Sequence, residues 1–230
     1  MATSSVVRDS QGLAYEKPRD ELMEELGLGV TVSVSAGRTI VIEGDPMEHV
    51  YRILSGAVRL YKAVADGRRQ IIDFLAPSDC FGLTGLDEHA HSAEAITDVV
   101  MIRYPKRRLE AVIENRPDLG QQLFRLACAE LSRAQQCMLL LGRKNADERI
   151  ASFLLDLAVS QSVGSSDRAC LHLYMSRQDI ADHLGLTIET VSRIFTRFRH
   201  AGVISLQDRH VVLVRDALRL SQIAAGDLDT

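Results

Sequence analysis

Thirty residues near the C-terminus, MSRQDIADHLGLTIETVSRIFTRFRHAGVI from Met175 to Ile204, constrain this chain more than any other stretch. Ser176 stands where a helix start wants a side chain that accepts from exposed amides, and Asp179 three residues later comes close to a capping box. Ile180, Ala181 and Leu184 then recur at helical spacing. Gly185 falls where a helix end favours a left-handed residue, Leu186 fills the corner, and Thr187 caps a second helix. Ile188, Val191, Ile194, Phe195 and Phe198 give that helix an apolar inward face, and small Ala181 lets the two helices approach closely. Two capped helices around a glycine corner make a helix-turn-helix.

The outward face of the second helix is then Glu189, Thr190, Ser192, Arg193, Thr196 and Arg197. In such a unit the second helix meets base edges in the major groove of DNA. Glutamate accepts from cytosine N4, and arginine donates two bonds to guanine O6 and N7. Glu189 and Arg193 are four apart and project side by side, so together they suit a short step containing a G·C pair. Thr190 and Ser192 suit phosphate oxygens or a thymine methyl, and Ser176 and Arg197 are further candidate contacts. The competing reading is a solvated face with an internal Glu189–Arg193 ion pair, worth only about 0.3–0.5 kcal/mol. It leaves the agreement of cap, glycine and apolar positions unexplained. Beyond Gly202, Val203–Leu206 and Val211–Val214 flank Gln207-Asp208-Arg209-His210, which reads as a hairpin wing. Arg209 and His210 at its tip either touch phosphates or are simply solvated.

Charge sets a condition on this reading. The chain carries a net −4 over 230 residues, which is not the profile of a basic nucleic-acid coat. Residues 144–230 hold 10 Lys+Arg and 11 Asp+Glu (10 − 11 = −1), whereas Thr187–Ala201 holds three arginines against one glutamate. Positive charge is concentrated on the reading helix.

The first half follows a different period. Val30, Val32 and Val34 alternate with Thr31 and Ser33. Further strands are predicted over Ile40–Ile42, Val50–Leu54, Ala57–Val64, Ile71–Leu75 and Ala95–Arg103, separated by Gly44-Asp45-Pro46, Ser55-Gly56, Asp66-Gly67 and Pro77-Ser78-Asp79. Short strands with regular turns imply an antiparallel roll or barrel. Residues 1–18 read as a loose arm, Glu21–Leu26 as a short helix, and 19–115 as the roll domain. After Pro105 the period becomes helical. Lys106–Glu114 is one helix, and Pro117 opens a long one reaching Leu141 or Gly142. Phe124, Ala127, Leu131, Ala134, Met138 and Leu141 lie at spacings of 3, 4, 3, 4, 3, a heptad seam that faces either a partner helix or the chain's own roll. A symmetric dimer also suits a DNA reader. Residues 116–143 are thus a dimerisation helix. Residues 144–230 form the DNA-binding domain, with a helix over Ala146–Ser160, a polar loop over Gln161–Asp167 and a strand over His172–Met175. The fold class is α+β.

Several function classes lose support. No run approaches the roughly 20 apolar residues of a membrane span, and Met1–Gln11 lacks a signal-peptide core, so a cytoplasmic protein is expected. Cys80, Cys128, Cys137 and Cys170 form no C-x-x-C pair. Buried, reduced thiols are the default, with Cys137 beside the seam and Cys170 placed to couple oxidation to DNA affinity if its thiol is exposed. His89 and His91 form an H-x-H that reads as a solvated loop, with a metal or haem site as the sharper alternative. No G-x-S-x-G, P-loop or H-E-x-x-H motif points to an enzyme.

Across about residues 20–220 the chain resembles the Crp/Fnr family of bacterial regulators. IVIEGDPMEHVYRILSGAVRLYK (Ile40–Lys62) and DGRRQIIDFLAPSDCFG (Asp66–Gly82) are similar to its cyclic-nucleotide-binding-like sensor roll, with Gly44, Gly56, Gly67 and Gly82 at turns. Glu189, Ser192 and Arg193 match the reading triplet of the FNR and FixK branches. The resemblance implies a homodimer on a palindrome of TTGAT-type half-sites, contact with RNA polymerase, activation, and control of oxygen-limitation genes such as microaerobic respiration or nitrogen fixation. Members that bind cyclic AMP carry a glutamate after the glycine matching Gly82 and an arginine before a Ser-Ala pair; here these positions are Leu83 and His91. Losing both removes charge-assisted bonds of roughly 1.5–3 kcal/mol each, so no physiological cyclic-nucleotide binding is expected. The FNR-type [4Fe–4S] cluster needs N-terminal cysteines, and none precedes Cys80. The resemblance is therefore to the FixK-like branch, with no cofactor. The alternative is a sensor whose roll binds another effector or whose thiols respond to redox.

Overall fold

A computed structural model describes residues 6–8, 14–16, 27, 29–64, 67–83, 87–161 and 170–227. The chain divides into two compact units, one built on Glu16–Glu130 and the other on Leu131–Thr230 with Val6–Tyr15. Strands β1 (Val6–Arg8) and β2 (Ala14–Glu16) pair in a two-stranded sheet, so the expected loose arm carries local order. Val6-Val7 and Tyr15 are residue types that favour extended backbone. The expected helix over Glu21–Leu26 lies outside the described residues.

The first unit is the expected roll. Strands β3 (Val30–Val34), β4 (Thr39–Val41), β5 (His49–Ser55), β6 (Val58–Ala63), β7 (Arg69–Leu75), β8 (Cys80–Phe81), β9 (Ser92–Ala95) and β10 (Val99–Pro105) form two antiparallel sheets. Their orders are β3-β10-β5-β8 and β4-β9-β6-β7. Alternation works as the sequence predicts. Tyr51 and Ile53 from one sheet and Val58 and Ala93 from the other meet in one buried cluster. Gly56 joins β5 to β6 at φ +86°, and a Cβ there would stand 2.2 Å from the Asp98 carbonyl oxygen, so only glycine fits.

One expected strand is two. Ala95–Arg103 breaks at Ile96-Thr97-Asp98, where the chain crosses from one sheet to the other. The polar pair secures the crossing: Thr97 Oγ1 accepts from Ala57 N–H at 3.0 Å and Asp98 Oδ1 from Ala36 N–H at 2.9 Å. Helix α1 (Lys106–Asn115) follows, then α2 (Pro117–Arg143), with proline in its first turn. Leu109 and Leu119 bury against Val50 and Tyr104 on the outer side of the roll.

In the second unit α3 (Ala146–Gln161), β11 (Cys170–His172), α4 (Arg177–Leu184), α5 (Ile188–His200), β12 (Ile204–Leu206), β13 (Val211–Val214) and α6 (Ala217–Ala225) follow in order. The sheet order is β11-β13-β12. Strand β11 lies two residues earlier than expected, because its ladder pairs Cys170–His172 with Val211–Leu213 and β13 begins at Val211. Most of the polar loop expected before it lies outside the described residues. Helix α6 is a further element, capped by Asp216 and closed by Gly226, which buries Leu220 and Ile223 as it packs on α3. Among the described residues no helix is long and apolar enough to cross a membrane.

Candidate nucleic-acid interface

Both caps of the helix-turn-helix form as the sequence demands. Ser176 Oγ accepts from Asp179 N–H at 3.1 Å, and the Asp179 carboxylate accepts from Ser176 N–H at 2.9 Å and Oγ–H at 2.7 Å. This gives Ser176 a structural role beside the DNA contact expected of it. Its hydroxyl donates to the buried Asp179 carboxylate, so it positions α4. Gly185 takes φ +63°, ψ 39°, and Gly185 and Leu186 both donate to the Ala181 carbonyl. Thr187 caps α5 by accepting from Thr190 N–H at 3.2 Å.

Helix α5 buries Val191, Ile194, Phe195 and Phe198. Ile188 departs from the expected inward face and stays 37% exposed. As the first helical residue it sits one turn ahead of the packed stripe. Glu189, Ser192, Arg193, Thr196 and Arg197 are exposed and Thr190 is half-buried. Among the described residues no ion pair joins Glu189 to Arg193. Arg193 Nη2 lies 3.4 Å from Thr190 Oγ1, which itself lies 3.1 Å from Thr187 Oγ1. Glutamate and arginine therefore both keep free hydrogen-bonding edges. Arg197 differs from expectation: it is bonded to Asp147 in the first turn of α3. Ala146, Asp147, Thr190, Arg193, Ile194 and Arg197 line a shallow recess of about 180 Å³.

Sequence reasoning passed over two features. Ile188 is an exposed apolar group beside Glu189, suited to a thymine methyl; its place as first residue of the reading helix was the available signal. Arg177 stacks its guanidinium 3.5 Å from the Phe195 ring centroid, and burial pulls its pKa down to about 10, which leaves it charged at neutral pH. The wing forms as expected. Asp208 Oδ1 accepts from His210 N–H and Val211 N–H and sets the turn. Arg209 is exposed at the tip. His210 is exposed as well, with Nδ1 3.1 Å from the Leu173 carbonyl oxygen.

Along α2, Phe124 is 70%, Leu131 60% and Met138 65% exposed. Ala127 and Ala134 are exposed too, and Leu141 is half-buried. The stripe is thus largely exposed along α2. In the roll, Leu83 packs on the Val50, Tyr104, Leu109 and Leu119 cluster. His91 is half-buried, and the buried Ser92 Oγ accepts from Glu43 N–H at 3.0 Å. His89 is buried at 7% exposure, not solvated as expected; Tyr51, stacked on Phe81, lies 6.4 Å away, ring centre to ring centre. Cys170 is exposed on β11, and Cys137 is half-buried beside the seam.

Comparison with known proteins agrees with this geometry. Residues 31–116 match the family of cyclic nucleotide-binding domains and residues 148–223 the Crp-like helix-turn-helix domain. The chain is 43% identical to the nitrogen fixation regulation protein FixK of Bradyrhizobium diazoefficiens, over 90% of this chain and 86% of that protein. It is 38% identical to the transcriptional activator protein Anr of Pseudomonas aeruginosa, over 84% of this chain and 80% of that one. The structure of FixK2 from Bradyrhizobium japonicum superposes with a TM-score of 0.81 at 37% identity, covering 85% of this chain and 97% of that one.

Proposed function

Because this chain belongs to the Crp/Fnr family of transcription regulators, we propose that it acts as a FixK-like activator: a homodimer that reads a palindrome of TTGAT-type half-sites and controls genes of oxygen limitation, such as microaerobic respiration or nitrogen fixation. The observation that carries the reading is the free pair Glu189 and Arg193 on one exposed face of a helix capped by Thr187. Glu189 accepts from cytosine N4 and Arg193 donates to guanine O6 and N7. Ser192 and Thr190 meet phosphate or a thymine methyl, Ile188 adds apolar contact, and Arg209 reaches a phosphate from the wing. The seam Phe124, Ala127, Leu131, Ala134, Met138 and Leu141 joins two copies. The protein works in the cytoplasm with RNA polymerase as partner, as a binding protein rather than an enzyme. Its roll carries no cyclic nucleotide, since Leu83 and His91 stand where ligating groups belong, and it holds no iron–sulfur cluster.

Arg193→Ala tests this. Specific binding weakens by about 1–3 kcal/mol and discrimination relaxes at the guanine that Arg193 reads. A variant that binds the TTGAT-type palindrome as tightly and selectively as the parent removes Arg193 from the role.

A further inference from the structure

Arg149, on the second turn of α3, donates to three backbone carbonyls and, among the described residues, to no carboxylate. Nη2 reaches Leu141 O at 2.8 Å, Nε reaches Lys144 O at 2.9 Å, and Nη1 reaches Leu184 O at 2.9 Å. These oxygens belong to the last turn of α2, to the junction after it, and to the last residue of α4. The final carbonyls of a helix have no amide partner within the helix. A single planar cation therefore completes two helix ends at once and lies at the negative pole of both.

The surrounding packing is specific to this point. A Cβ on Gly185 would lie 3.6 Å from Arg149 Nη1 and 3.8 Å from Leu141 Cδ2, so the corner of the helix-turn-helix, the guanidinium and the last seam leucine are neighbours. The turn that carries Arg149 is itself held. Asn145 Oδ1 accepts from Asp147 N–H and Glu148 N–H, the Glu148 carboxylate accepts from Asn145 N–H and Nδ2–H, and Lys144 Nζ donates to Ser152 Oγ.

We propose that Arg149 is a positioning residue that fixes the angle between the dimerisation helix and the reading helices, and thereby sets which separation of half-sites the dimer accepts. The inference rests on the homodimeric, palindrome-reading function above. Arg149 touches no base and lies behind the corner, so its effect appears in the geometry of two linked heads and not in what one head recognises. Lysine cannot substitute, because one ammonium has no planar fork to span three fixed oxygens.

The test uses the full-length protein and three DNA types: a palindrome at the preferred separation, palindromes lengthened or shortened by one base pair, and a duplex with one half-site scrambled. Binding is read by fluorescence anisotropy, and folding by thermal melting. Arg149→Gln is expected to bind the single half-site within about twofold of the parent, to lose roughly tenfold or more on the preferred palindrome, and to bind the three separations nearly alike. Arg149→Lys is expected to follow it, and carries the comparison alone if the glutamine variant melts far below the parent. Equal losses on half-site and palindrome mark a merely structural arginine and overturn the proposal. So does a variant with the parent's spacing preference intact, or full rescue by lysine. A parent that shows no preference among the separations overturns the palindrome reading itself, which sets that failure apart from failure of Arg149.

Discussion

Arg197, on the reading helix, is bonded to Asp147, the second residue of the helix that follows the long α2. A guanidinium in this position faces two partners: the carboxylate that it has, and a phosphate that DNA would bring. The carboxylate holds a cation back from indiscriminate backbone contact. Asp147→Asn releases it. Non-specific DNA affinity is expected to rise, and the plot of log K against log salt to steepen by about 0.9, the value of one added phosphate contact. The ratio of specific to non-specific affinity falls in step, while the bases preferred stay the same. Titrations of a random duplex and of the palindrome at several salt concentrations measure both quantities. An unchanged slope shows that Asp147 restrains nothing.

That pair also marks what a sequence can and cannot disclose. The caps at Ser176 and Thr187, the corner at Gly185 and the strand alternation at Tyr51 and Ile53 were legible because each depends on neighbours a few residues away. Asp147 and Arg197 are fifty positions apart, and nothing local indicates that they meet. Arg149 gave no signal for the same reason, since carbonyl partners have no sequence identity to read. Ser176 shows the reverse difficulty: a good cap and a good phosphate donor are one residue type, and the sequence does not separate the two roles, whereas the 2.7 Å bond to Asp179 displays the first. His89 looked solvated by its polar neighbours, yet the bridge between Pro46 and Glu88 and the paired backbone bonds with Gly44 and Asp45 draw its loop against Tyr51.

Leu83 leads to a prediction about ligands. Its side chain packs with Val50, Tyr104, Leu109 and Leu119, so a polar group bound there would lose hydrogen bonds and disturb an apolar cluster. Titration calorimetry with cyclic AMP is expected to show no binding at micromolar concentration. A micromolar or tighter site for the nucleotide, at unit stoichiometry, would reverse the assignment of this roll.

Acid should weaken the roll through His89. Burial is the largest cause holding its pKa below 6.5; nearby Asp45 pulls it up and His49 pushes it down. His49 is lowered as well, by burial and by Arg103, against Glu48. With the folded value below the unfolded one, the unfolded chain takes up protons first as pH falls. Stability is therefore expected to be full above pH 6.5 and to decline below it, until the folded roll also protonates. His89→Phe should flatten the decline below pH 6.5 in melting curves. An identical pH profile for parent and variant would place the acid sensitivity elsewhere.

The seam gives the sharpest separation of folding from function. Leu131 is 60% exposed in one chain, so replacing it by aspartate costs the isolated chain little. Across the two-fold axis of the proposed dimer the same change sets two carboxylates against each other in an apolar stripe. Leu131→Asp is thus expected to fold with a melting temperature near that of a monomeric parent and to sediment as a monomer at concentrations where the parent is dimeric. Its affinity for the palindrome should drop by about 10²–10⁴, the avidity lost when two linked heads become one, while its affinity for a single half-site stays close to the parent's. Monomers that keep full palindrome affinity would mean that DNA itself brings two heads together. A variant that stays dimeric would move the interface off Phe124, Leu131 and Met138.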